Sequence, residues 1–147
     1  MRFGKISPLD ATFTAAPLID RVASGVKVTL SANENQAFGD VCTINSTGKA
    51  AIARGNVIAN ANTVVMCADT TVLLGAVGNY LMLGVARNDT WTWTVGGLIY
   101  LSITGTTGNT LTQTMPTGTN NVIQIIGIAT HADRMIFNPS LIQVEHT

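Results

Sequence analysis

Charge is what this chain has least of. Only 11% of its 147 residues are Asp, Glu, Lys or Arg, against a usual figure of about 25%. Eight cations offset eight anions. No Lys/Arg cluster exists, so the electrostatic footprint of a nucleic-acid binder is missing and no nucleic-acid partner is expected. Glutamate occurs only as Glu34 and Glu145, which leaves little for glycoside or metal chemistry. The two cysteines, Cys42 and Cys67, have neither zinc-site nor redox-pair spacing. They read as buried small hydrophobes of a protein made in a reducing cytoplasm. No apolar run reaches the ~18–20 residues that span a bilayer. The opening MRFGKISPLDATF has no apolar core of a signal peptide. No membrane partner is therefore expected.

What is there is threonine, glycine, asparagine and β-branched side chains. The length suits one domain with a core of its own. A monomer of 15.4 kDa exposes roughly 7,000 Å², too much for sixteen charged groups to cover. Neutral hydrogen-bonding residues must cover it, or partners must bury it. Such surfaces suit assembled particles better than freely diffusing proteins, which rely on net charge to stay apart.

The chain is organised around Trp91–Leu101 (WTWTVGGLIYL). Trp91, Trp93 and Val95 alternate with Thr92 and Thr94, the period of a strand covered on one face. After Gly96-Gly97, the run Leu98–Leu101 predicts a strand covered on both faces or crossing a barrel wall. Residues 1–17 hold Pro8 and Pro17 and read as an extended arm, and residues 18–147 as a single β domain. Ser24-Gly25 reads as a turn before a strand at Val26–Leu30, and Ser31–Phe38 as a polar loop. Val41–Ile44 and Lys49–Ala53 form a hairpin around Asn45–Gly48. Ala and Asn over Ile52–Asn62 favour a short helix only weakly. Thr63–Met66, Thr71–Leu74 and Asn79–Val85 are further strands. Ile103–Thr110 reads as a loop, Leu111–Thr114 as a short strand, and Val122–Ala129 as a strongly β-branched one. His131–Arg134 turns the chain, Met135–Phe137 extends, and Leu141–Val144 closes it. About ten short strands with glycine turns predict an all-β small barrel or sandwich.

A weak internal echo accompanies this pattern. GDVCTI (39–44) parallels GGLIYL (96–101), and LGVAR (83–87) parallels IGIAT (126–130), which is consistent with an internal duplication. The mid-strand glycines, Gly84 and Gly127, predict bulges, bends or close backbone approach.

No catalytic constellation emerges. His131 lies near Asp133 and Arg134, with Ser102 or Ser140 as conceivable nucleophiles, but no nucleophile elbow is present. The carboxylates mostly fall at turns. The Gly105–Gly108 stretch lacks the helix of a phosphate loop. No cofactor, metal or catalytic residue is assigned, and the chain is not expected to be an enzyme. Trp91 and Trp93 suit either a sugar-stacking platform or a core or subunit contact. Phe3, Phe13, Trp91, Trp93 and Tyr100 are the candidate partner-contact or core anchors.

The segments GDVCTINSTGKA (39–50), LMLGVARND (81–89), WTWTVGGLIYLS (91–102) and IQIIGIATHADRMIFNPSLIQVEH (123–146) together resemble a module of tailed-bacteriophage virion proteins. The module occurs in capsid decoration or head-fibre proteins and at the ends of tail-fibre chains. The resemblance spans about residues 37–146 and includes no catalytic motif. It implies a β-rich unit, commonly a homotrimer, fixed to the outside of a particle. The expected function is capsid decoration: binding the major capsid protein from outside and stabilising the shell, with assembly in the host cytoplasm. The alternative is a tail-fibre or receptor- and glycan-binding module. Only a few dozen residues precede the module, which favours decoration over a fibre with a long upstream shaft.

Overall fold

Frequent glycine and short β-branched runs cut the described residues into thirteen strands. The structure is a computed structural model and describes residues 12–147. In chain order the strands are β1 (Val22–Ser31), β2 (Gln36–Ala37), β3 (Val41–Ile44), β4 (Ala50–Ile52), β5 (Val65–Cys67), β6 (Thr71–Val72) and β7 (Val77–Arg87). They continue as β8 (Leu98–Thr106), β9 (Asn109–Thr112), β10 (Val122–Ile123), β11 (Ile125–His131), β12 (Arg134–Phe137) and β13 (Val144–Glu145). A single 3-10 turn, Ile58–Asn60, is the one helical piece among the described residues. The chain is thus all-β, as its composition predicts.

The main sheet runs β4-β3-β5-β7-β12-β11-β8-β9, with β1 laid along the other edge of β7. It curls into a nearly closed barrel. Closure is made by scattered bonds rather than a ladder. The Val41 N–H donates to Thr110 Oγ1 at 3.0 Å, and the Gly55 N–H donates to the Ser102 carbonyl at 3.0 Å. The Thr107 hydroxyl donates to the Asn35 carbonyl at 3.0 Å. The larger core gathers Leu81, Ile99, Leu101, Ile126, Met135 and Phe137. A smaller one holds Cys42, Cys67, Val65, Val72 and Tyr80.

Two glycines let the sheet coil this tightly. Phe137 is fully buried and stands in register between Gly84 on β7 and Gly127 on β11. Gly84 in turn faces Gly25 on β1. A Cβ on Gly84 would lie 2.1 Å from the Ser24 carbonyl oxygen, and one on Gly127 would lie 1.9 Å from that of Ile136. Both mid-strand glycines therefore mark close backbone approach, one of the roles their sequence position predicts.

Several boundaries differ from the sequence expectation. Trp91–Val95 is not a strand but an irregular connection, because its backbone bonds are spent on isolated contacts such as Trp93 N–H to the Ala132 carbonyl. Of the two settings open to Leu98–Leu101, it takes the barrel wall rather than cover on both faces: Ile99 and Leu101 are buried while Leu98 is exposed. Ser24-Gly25 is not a turn; it lies inside β1, where Gly25 is needed opposite Gly84. Ile103–Thr110 is no loop, since β8 runs on to Thr106 and turns at Thr107-Gly108 into β9. The polar stretch Ser31–Phe38 contains β2, where buried Gln36 accepts the Tyr80 hydroxyl at 2.6 Å and donates to the Ala50 carbonyl at 2.9 Å. Val122–Ala129 is split at Gln124, whose buried carboxamide pairs with the Thr63 backbone. Of Leu141–Val144 only Val144 joins a strand.

Gly84→Ala and Gly127→Ala should each cost about 3 kcal/mol or more, since backbone, not a flexible side chain, occupies the space. Gly48→Ala sits in a turn at φ +75° with nothing within 4 Å of its Cβ, and should cost about 1 kcal/mol. Urea unfolding of the three variants checks this; equal losses would remove the close-approach account.

Candidate functional site

Two surface regions stand out once the candidate anchors are placed. The first is a cleft of about 220 Å³ between Thr90–Trp93 and Gly108–Leu111, with Phe38 and Gly39 beside it. Trp91 and Trp93 are half-buried and pack on the larger core. Their ring centroids are 5.5 Å apart, and Trp91 lies 6.4 Å from Phe38. The chain reaches this arrangement because Gly39 (φ +88°) carries no side chain: a Cβ there would stand 2.8 Å from the Trp91 ring. The predicted alternation holds without a ladder from Trp91 to Thr94, with both indoles packed on the core and Thr92 and Thr94 exposed, but fails at Val95, which is 61% exposed. The Trp93 Nε1–H is buried with no acceptor.

The second region is the outer face of the sheet. In register across β8, β11 and β12 run Leu98, Ile128 and Ile136, and the row ends on β7 at Val85, which is buried. Leu98, Ile128 and Ile136 are 42%, 37% and 40% exposed. Half-buried Tyr100 lies opposite Ile125 on the same face, and Leu83 opposite Val26 extends it to β1. A solvated antiparallel sheet ordinarily turns polar residues outward. This face is apolar instead. The aromatic anchors therefore part company: Trp91 and Trp93 share the cleft, Tyr100 belongs to the outer face, and Phe13 is half-buried in the irregular segment before β1. Phe3 lies outside the described residues, as do residues 1–11 of the proposed arm. Sequence reasoning missed Phe38, hidden in an otherwise polar stretch.

Charged groups gather elsewhere. His131 Nδ1 is 2.6 Å from Asp133 Oδ1, and Asp133 also meets Arg134 at 3.2 Å and Arg87 at 3.5 Å. Arg87 binds Asp89 at 2.7 Å and donates to the Pro17 carbonyl at 3.0 Å. Asp20 accepts the Asp89 N–H at 2.8 Å. The cluster ties the segment before β1 to the β7 and β11–β12 turns. Burial raises the Asp133 carboxyl, but the His131 hydrogen bond and the charges of Arg134 and Arg87 outweigh it and hold the group below its ordinary value. Ser102 bonds Thr104, and Ser140 contacts the Ile142 carbonyl, so neither hydroxyl is directed at His131. Among the described residues, neither His131 nor any charged side chain lines the aromatic cleft. No group of three or more His, Cys, Asp or Glu fit to hold a metal occurs among the described residues.

Asp40 lies behind the cleft, almost wholly buried. Its carboxylate accepts the Ala37 N–H at 2.8 Å and the Gly108 N–H at 2.8 and 3.0 Å. It thus fastens the β2–β3 segment to the β8–β9 turn. Burial pushes its pKa up to about 6, against the opposing pull of the Ala37 and Gly108 N–H groups.

No protein-family model, curated protein or solved structure matches this chain.

Because the folded chain holds the Asp40 proton more tightly than the unfolded one, this group's stabilisation is complete below about pH 4. It is lost as pH rises through about 6. Urea unfolding should therefore show stability falling by about 2–3 kcal/mol across that window, and Asp40→Asn should flatten the slope. An unchanged slope in the variant would show that Asp40 is not its source.

Proposed function

We propose that this protein is a non-catalytic structural component of a tailed-phage virion, a decoration protein that binds the outside of the major capsid protein shell. The observation that carries this reading is the apolar outer face built from Leu98, Tyr100, Ile125, Ile128 and Ile136. Exposed apolar area that is contiguous across several strands marks a surface made to be covered. The commitment of most described charge to contacts within the fold points the same way. Of the described charged side chains, most are tied into the Asp133 cluster, the Arg54–Glu34 pair at 2.7 Å or the buried Asp40 site. The resemblance of residues 37–146 to virion modules supplies the partner. A homotrimer seated on the shell would bury the outer face against neighbouring copies or capsomers, with specific contacts of about 1,000 Å² or more each.

Size-exclusion chromatography with light scattering, followed by binding to emptied capsids of the phage, tests this. The expected result is a trimer that coats the shell. Ile128→Lys and Ile136→Glu, both at exposed positions, should leave the fold intact and weaken assembly or shell binding at least tenfold. A stable monomer that ignores the shell would overturn the reading.

A further inference from the structure

The aromatic cleft is separate from the outer face, and shell binding leaves it without a task. We infer that it is a binding site for a neutral pyranose sugar, presented by a free saccharide or by the end of a surface polysaccharide. The inference goes beyond the decoration role and uses none of the residues assigned to it.

Three observations carry it. First, the cleft of about 220 Å³ is lined by both indoles, tilted at 44° to one another, and by Gly39. Aromatic faces flanked by small residues offer the flat apolar contact that the C–H face of a pyranose needs. Second, its polar atoms are all neutral. Thr92 and Asn109 are exposed on its rim, and their side chains make no hydrogen bond within the described residues. A hydroxyl and a carboxamide offer both donors and acceptors to sugar hydroxyls. With no cation or carboxylate among the described lining residues, a phosphate, an organic acid or an amine would find no charge partner there. Third, the Trp93 Nε1–H is buried without an acceptor, a state that costs free energy in the empty protein. Trp93 is one of the lining residues, so this unpaired donor stands beside the proposed ligand.

The cleft is also held rigid. Asp40 fixes Gly108 on one side, and Asn88 fixes the other by accepting the Thr90 N–H at 3.0 Å and the Thr90 hydroxyl at 2.8 Å. A preformed wall keeps the ordering cost of binding low.

The test is a titration of the full chain, without capsids, followed by tryptophan emission and by ligand-detected NMR. The probes are glucose, galactose, N-acetylglucosamine and their β-linked disaccharides. A saturable change at millimolar sugar is expected with at least one probe. A response to disaccharides alone supports the site and assigns it to polysaccharide ends. Trp91→Phe should weaken binding at least fivefold. Asn109→Ala and Thr92→Ala, at exposed positions that leave the core untouched, should weaken it about threefold each. No saturable response to any probe, or wild-type affinity in both rim variants, would overturn the inference. Because no shell is present, either result is independent of capsid binding.

Discussion

Backbone pressed against backbone at Gly84 and Gly127 is the constraint from which the rest of the architecture follows. These two residues flank Phe137 in register, so the most buried ring of the larger core sits where neighbouring strands have no side chains opposite it. Gly25 repeats the device one strand further out. With strands free to approach this closely, a sheet of short elements can coil toward closure. The same row decides which residues turn outward. Ile128 and Ile136 occupy the positions next to Gly127 and Phe137, and alternation sends them to the opposite face. The interior constraint and the apolar exterior are thus two sides of one register.

Polar groups finish what the glycines begin. Where the sheet fails to close by a ladder, Asp40, Thr110, Gly55 and Thr107 bridge the gap with single hydrogen bonds. Buried carboxylates are costly unless their oxygens are satisfied, and Asp40 meets that condition with backbone N–H donors from two segments. Gln36 and Gln124 work in the same way: Gln36 lends its carboxamide to the Ala50 carbonyl at the start of β4, and Gln124 to the Thr63 backbone, which no strand includes. A low-charge sequence is therefore not an apolar one. It is a sequence that assigns its few ionised groups to particular structural duties and leaves the surface to neutral side chains.

Much of this was legible in the sequence. Alternation and glycine punctuation revealed the all-β class, the Val41–Ile52 hairpin and the long strand around Asn79–Val85. The mid-strand position of Gly84 and Gly127 pointed to a bulge, a bend or close backbone approach, of which close approach is found at both. The failures have a common physical origin: local pattern does not reveal who supplies the hydrogen-bond partner. Trp91–Thr94 alternates like a strand, yet its neighbours offer isolated carbonyls rather than a ladder. Gly25 resembles a turn residue because its partner, Gly84, is far away in sequence. Thr107-Gly108 resembles open loop until the turn is seen anchored by Asp40. The pairing of Trp91 and Trp93 was visible; Phe38 and the Thr110 side of the cleft were not, since only the barrel's curvature brings them together.

The two thiols add a practical corollary. Cys42 and Cys67 are both wholly buried in the smaller core. Burial drives the Cys42 pKa well above its ordinary value and pushes that of Cys67 up to about 12. Thiolate is the reactive species, so the native fold is silent toward maleimides and other sulfhydryl reagents. A cysteine engineered on any exposed strand would be the sole labelling point, and spectroscopic rulers between subunits or against a particle could be installed without first removing the natural pair.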